Sequence, residues 1–238
     1  MQITQPIIHI LLLSLLLTSN VKGQEPELTK EQIIKRAWKA RFGDTDAGGI
    51  QTLYYESFFH GSEEPGRHYL KRPHFYRNES ENVVLIFDGQ KAAMIPAGEG
   101  EGKAGEPEWV DSVYWAHFEV DIALAFPAFF EYESEYRGIH TEGANRSYEL
   151  FVELPLGGSV TYFIDAETFV ISRRLVSWEG NPEQDLWENL VTGYRDYDGF
   201  LFEEGYSFIG RDGREEGYFR NVKHNTEMDD ALFRIRNE

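Results

Sequence analysis

The 238-residue sequence contains no cysteine. An exported protein of this composition must hold its fold without disulfides, and a lipoprotein anchored through an N-terminal cysteine is ruled out as a reading. Basic residues are scarce as well: 23 Lys and Arg stand against 41 Asp and Glu, a formal net charge of −18. Nucleic acid and anionic membrane surfaces are poor partners for such a surface. An apolar run of bilayer-spanning length, roughly 20 residues, is also missing. What the N-terminus has instead is a shorter run at residues 7–17, inside "MQITQPIIHILLLSLLLTSNVKG". That length suits the h-region of a secretory signal peptide, although no Lys or Arg precedes it. Val21 and Gly23 are small enough for the sites before a signal-peptidase cut. Residues 1–23 are therefore expected to be removed, leaving 24–238 as one soluble, periplasmic domain.

Signatures of catalysis are absent too. There is no Gly-x-Ser-x-Gly elbow, His-Glu-x-x-His helix or Walker loop. His60, His68, His74, His117, His140 and His224 are scattered along the chain, so neither a metal site nor a cofactor is expected. Glu203 and Glu204 are adjacent in a strand-like segment, which sends them to opposite faces and argues against a carboxylate dyad. The expectation is a protein that is not an enzyme; a hydrolase built from dispersed carboxylates is a minor alternative.

What is present begins with a helix. Thr29 can cap it, Gln32 completes a capping box, and Leu28 can staple onto Ile33. Ile33, Ile34, Ala37, Trp38 and Phe42 fall on one stripe, and Gly43 stands where the helix should stop. The stripe suits a plug for a concave sheet or an ordinary core helix. From residue 50 the period changes to two, with strands expected at 50–60, 67–72, 75–79, 83–87, 90–95, 138–142, 147–154, 159–165, 169–177, 185–196, 200–210 and 217–224. Asp88-Gly89, Asp198-Gly199 and Asp212-Gly213 mark hairpins. Between the two strand groups, residues 97–108, "AGEGEGKAGEPE", have too little apolar content to pack. Residues 112–132 are the reverse, very apolar, and suggest one or two short helices broken at Pro127. They are either core or the cover of an apolar cavity. With so little helix, a sheet of some eleven strands buries its face best as a curved, unclosed barrel wrapped around the two helical segments.

Three stretches then resemble the LolA-like family of periplasmic outer-membrane lipoprotein carriers. The first is Lys71-Arg72-Pro73-His74-Phe75 followed by "VVLIFDGQK". The second is "FFEYESEYRGIHTEGANRSYELFVELPLGGSVTYFIDAETFVISRR", and the third combines "YRDYDGFLFEEGYSFIG" with "FRNVKHNTEMDDALFRI". Together they cover most of residues 69–235. The chain departs from the carriers at "KAAMIP", in the acidic segment 97–108 and in its Asp-Asp-x-x-Phe tail, which is similar to the looser relatives.

The resemblance implies a mainly β fold, an unclosed barrel whose N-terminal and central helices cover or plug its mouth. It implies an apolar cavity for the acyl chains of lipoproteins or another lipid, and envelope proteins as partners in loading and release. In the carriers the Arg of the Arg-Pro pair fastens the helical lid, and the matching residue is Arg72. A surface ion pair is the alternative role for Arg72. Trp38, Phe42, Phe75, Phe126, Phe129 and Phe130 are the candidates for lid and cavity contacts. A monomeric carrier is the leading reading. An exported sensor or scaffold of the same fold, binding another envelope protein without lipid, is the rival.

Overall fold

The period-two segments pair into a single antiparallel sheet of 13 strands. In the computed structural model the described residues are 27–44, 49–97, 105–178, 186–210 and 213–235. The expected signal peptide, most of the acidic segment, and Asp212 of the expected Asp212-Gly213 hairpin lie outside them. The strands are β1 (Thr52–Phe59), β2 (Gly66–Lys71), β3 (Phe75–Glu79), β4 (Val83–Phe87), β5 (Ala92–Pro96), β6 (Glu108–Val110) and β7 (Glu135–Glu142). They continue with β8 (Asn145–Glu153), β9 (Ser159–Asp165), β10 (Ile171–Ser177), β11 (Leu186–Tyr197), β12 (Phe200–Gly210) and β13 (Gly213–His224).

Their spatial order is β6-β5-β4-β3-β2-β1-β13-β12-β11-β10-β9-β8-β7. Two meanders are thus joined along β1 and β13, and the ends of the order, β6 and β7, do not pair. The result is an unclosed barrel. Local chemistry sets the turns. Asp198 and Gly199 take φ of 55° and 85° between the paired residues Tyr197 and Phe200, the left-handed pair that a two-residue hairpin requires. Asp88 Oδ1 accepts from the backbone N–H groups of Gln90 and Lys91, at 2.9 and 2.7 Å, so β5 starts at Ala92 rather than at 90.

Two further differences have physical reasons. Gly138, with φ of 104°, is an irregularity inside β7 and not its start, because the pairing with β8 shifts between Tyr136 and Gly138. The extra strand β6 has only three residues, too few to show a period beside the Gly- and Glu-rich segment.

The first helix, α1 (Lys30–Phe42), has the expected caps. Thr29 Oγ1 accepts from Gln32 N at 3.4 Å, Gln32 Oε1 accepts from Thr29 N at 2.9 Å, and Gly43 donates to the Lys39 carbonyl at 3.0 Å. The second, α2 (Trp115–Ala125), ends before Pro127, which leads into a 3-10 turn at Ala128–Phe130. This segment connects β6 to β7, so it runs between the two free edges of the barrel. Asp229 caps the last 3-10 turn at Asp230–Phe233.

Burial of the concave face produces two cores. One gathers Leu150, Val152, Val160, Ile164, Ile171 and Val176 with Ile33 and Ala37 of α1 and Val120 of α2. The other gathers Tyr55, Tyr76, Phe87, Phe200 and Phe202 with Phe42 of α1 and Phe118 and Phe126 of the central segment. Each fully buried side chain of this size contributes about 1.5–3 kcal/mol, so the helices are held mainly by apolar contact.

Candidate functional site

The C-terminal end of α2 must satisfy its last carbonyls away from water, and it does so almost entirely with side chains. The Ile122 carbonyl accepts from Phe126 N at 2.7 Å. Those of Ala123, Leu124 and Ala125 accept from Tyr162 Oη at 3.0 Å, Arg174 Nη2 at 3.2 Å and Arg41 Nη2 at 2.8 Å. Tyr162 Oη also accepts from Ala128 N at 2.9 Å, so one hydroxyl ties both sides of the Pro127 break to β9. The cations sit where the negative end of the helix dipole favours them.

Glu203 of β12 lies between the two arginines. Arg174 is wholly buried; it forks onto both Glu203 oxygens and donates to Asn189 Oδ1 at 2.7 Å. Arg41 Nη1 stands 3.5 Å from Glu203 Oε1, and its guanidinium lies 5.6 Å from the Phe200 and Phe202 ring centres. The group therefore holds two buried cations and one buried anion, with Arg41 Nε and Nη1 and Arg174 Nε lacking hydrogen-bond partners. Burial pulls both guanidiniums down. Glu203 more than offsets this for Arg174, which stays above its ordinary value, whereas Arg41 remains below its own.

Arg72 follows Lys71 at the end of β2, and its peptide bond to Pro73 is cis. The side chain pairs with Glu131, just past the Ala128–Phe130 turn, donates to the Ile50 carbonyl at 3.2 Å and lies 5.9 Å from the Phe126 ring centre. The basic residues around it have separate work on the C-terminal segment. Lys71 pairs with Asp230 and Arg77 donates to the Leu232 carbonyl at 3.0 Å. Arg72 thus reaches the cover through a carboxylate, while the cover's carbonyls are held by Arg41 and Arg174, two arginines outside the sequence-derived candidates.

Four of the candidate aromatics meet. Trp38 lies 4.2 Å from Phe42 and 4.9 Å from Phe130, and Phe129 lies 4.4 Å from Phe130, as ring-centre distances. They join α1 to the 3-10 turn. Phe126 lines a cleft of about 160 Å³ between the cover and the sheet, together with His74, Phe87, Ile122, Glu131 and Leu156. Phe75 is elsewhere: it alternates with the inward Tyr76 and packs on Phe233 of the C-terminal turn, 5.4 Å between ring centres.

One group of polar side chains has the residue types of a nucleophilic triad. Ser57 Oγ is 2.8 Å from His68 Nε2, and Asn78 Nδ2 is 3.0 Å from His68 Nδ1. Asn78 Nδ2 is also 3.2 Å from His68 Nε2, and Tyr76 Oη is 3.3 Å from Nδ1. Burial lowers His68 to about 3. Such a ring is no base for the hydroxyl at neutral pH. Among the described residues no group of three or more His, Asp and Glu is placed to hold a metal ion.

An open antiparallel half-barrel with a helical cover latched across its mouth is the class these features define. No family model matches the chain, and no curated protein matches it in sequence. Solved structures do match in fold. A LolA superfamily protein from Nitrosomonas europaea superposes with a TM-score of 0.53 at 9% identity, covering 88% of this chain and 99% of that one. A domain described as an outer membrane lipoprotein-sorting protein, from Vibrio parahaemolyticus, gives 0.54 at 8% identity, covering 84% and 94%. The fold is LolA-like.

Proposed function

We propose that this protein is an exported periplasmic carrier that is not an enzyme. It takes the acyl chains of lipoproteins or another lipid between its half-barrel and its cover, for transfer towards the outer membrane. The observation that carries this reading is the way the cover is attached. A segment running between the free edges packs on an inner face rich in aromatic side chains and adds to that apolar contact a few polar ones, Arg41, Arg174 and Tyr162 at the end of α2 and Arg72 at Glu131. Such contacts break and re-form as units. Lipoprotein sorting is what the Vibrio parahaemolyticus domain is described as doing, and the shared fold supports a related task here.

Energetics make release the controlled step. Burying ten methylenes contributes roughly 8 kcal/mol, equal to micromolar affinity. The cleft of about 160 Å³ is below the roughly 300 Å³ at which ligand pockets begin. A chain therefore enters as the cover lifts, and reclosure on the latch drives it out. The packed interior favours one other reading, a LolA-like scaffold that docks an envelope protein and takes up no lipid.

Native mass spectrometry of the exported protein, purified without detergent, followed by titration with a fluorescent fatty acid, separates the two. Co-purifying lipid or saturable one-to-one uptake is the carrier's outcome. Neither bound lipid nor uptake would hand the protein to the scaffold reading. In the Arg72→Leu variant the carrier predicts altered uptake and release with the sheet still folded.

A further inference from the structure

Two glutamates are buried to the same depth, and only one of them has a counter-charge. Glu203 and Glu119 are each 4% exposed. Glu203 is held by Arg174 and Arg41, whereas no Lys, Arg or His pairs with Glu119 among the described residues. Glu119 lies in the middle of α2, where its Oε2 accepts from the backbone N–H of Leu156, in the turn between β8 and β9, at 2.7 Å. Its Oε1 makes no hydrogen bond among the described residues. A carboxylate buried with one oxygen unused and no cation beside it is costly to keep, and burial raises its pKa above the ordinary value.

Glu119 is also part of the wall of the 160 Å³ cleft between cover and sheet. Helical spacing explains its place there, since Ile122 and Ala123 follow it by three and four residues and line the same cleft. Phe126 adds to the cover's side, and Phe87 of β4 and Leu156 of the β8–β9 turn form the sheet's side. One other carboxylate borders the cleft, that of Glu131, and Arg72 already pairs with it. Glu119 is therefore the cleft's uncommitted charge.

The lining selects the kind of cation. A calcium ion takes roughly six to eight oxygen ligands, and no group of three or more His, Asp and Glu is placed to hold a metal among the described residues. What surrounds Glu119 is mostly apolar and partly aromatic, a setting for carbon rather than for a hydrated ion. A primary alkylammonium meets both conditions. It donates a charge-assisted hydrogen bond to Oε1, and its carbons lie against Phe87, Ile122, Phe126 and Leu156, rings of this kind attracting a neighbouring cation as well. The size agrees, because the closed cleft is too small for a long acyl chain and has room for a group of a few heavy atoms.

We infer that this cleft is a binding site for a primary alkylammonium group, with Glu119 as its counter-charge. The site goes beyond the carrier reading, because it is formed with the cover closed. A ligand in it touches α2, β4 and the β8–β9 turn together, and so holds the cover against both halves of the sheet. The same ammonium chemistry is offered by a free amine and by the amine head group of a lipid. A carboxylate of the same chain length is excluded by the charge of Glu119.

Isothermal titration calorimetry of the mature protein with hexylamine and with 1-hexanol at neutral pH tests this. The two probes differ in charge and hardly in size, and hexylamine is expected to bind about tenfold more tightly. Glu119→Gln keeps an oxygen for the Leu156 N–H and removes the charge, so it should bring the two affinities together by weakening hexylamine alone. If Glu119 serves only to cap the turn, the preference survives in that variant, and the inference is overturned. Equal affinities in the unaltered protein, or no binding of hexylamine, would overturn it as well. A dodecylamine arm separates the sources: a large gain in affinity over hexylamine assigns the site to a lipid amine and no gain to a free one, and the site stands in either case. Because the first comparison uses the unaltered protein, the inference is testable even if the variant fails to fold.

Discussion

The two cores that share the concave face are built from different side chains. In the β7–β10 half, three of the 15 buried members of the cluster are aromatic, Phe129, Tyr148 and Tyr162, and the strands supply mostly Leu, Val and Ile. In the β1–β5 and β12 half, eight of the 14 are aromatic, and the polar block of His68, Tyr76 and Asn78 stands beside them. Branched aliphatic chains interlock closely, whereas the rings meet one another offset or edge to face. On the proposed carrier function, the aliphatic half anchors the cover and the aromatic half is the side that opens. Arg41, Arg174 and Glu203 lie at the seam.

The seam gives the largest way to break this contrast. Glu203→Ala leaves two guanidiniums buried without a counter-charge and should cost about 3–5 kcal/mol in urea unfolding. Next come the cores themselves. Leu150→Ala and Phe202→Ala should each cost about 2–5 kcal/mol, but only Phe202→Ala should also weaken fatty-acid uptake. Equal loss of uptake in both would erase the division of labour.

A pH series sharpens the aromatic side. Burial raises Asp121 from 3.8 to about 6, so its contribution to stability is complete below about pH 4 and is lost as pH rises through 6. Burial lowers His68 from 6.5 to about 3, so its contribution is complete above 6.5 and is lost as pH falls. The two oppose each other between about pH 4 and 6.5. Relative to the parent, Asp121→Asn should gain stability with rising pH over that window and His68→Gln should lose it, each by about 2 kcal/mol in pH-dependent urea melts. The smallest effect belongs to the next residue along from the largest. Glu204 pairs with Arg195 at the surface, and Glu204→Ala should move stability by less than about 1 kcal/mol.

Much of the fold was legible because its signals are local. The Thr29 capping box, the Gly43 stop, the Asp198-Gly199 hairpin and the period of two each involve neighbours in the chain. So does the prediction that Glu203 and Glu204 face opposite ways. Arg174 was missed, although it alternates with Val176 and so shares that residue's inward face; beside Arg173 it reads as half of a charged surface pair. Arg41 likewise lies on the stripe of Ala37 and Trp38, where its charge argued against burial. Both are buried because carbonyls and a carboxylate from distant segments meet them.

From the residues alone come the strands, the caps, the breaks at Pro127 and the hairpins, the acidic surface and the want of any catalytic motif. Those features depend on backbone geometry and composition within a few residues. Tertiary structure alone decided which arginines hold the cover, that Phe75 faces away from the cavity, and that Ser57 and Asn78 meet at His68. A buried charge is tolerated only when partners far off in sequence arrive together, and that coincidence is set by strand register and by the path of α2 between the two open edges.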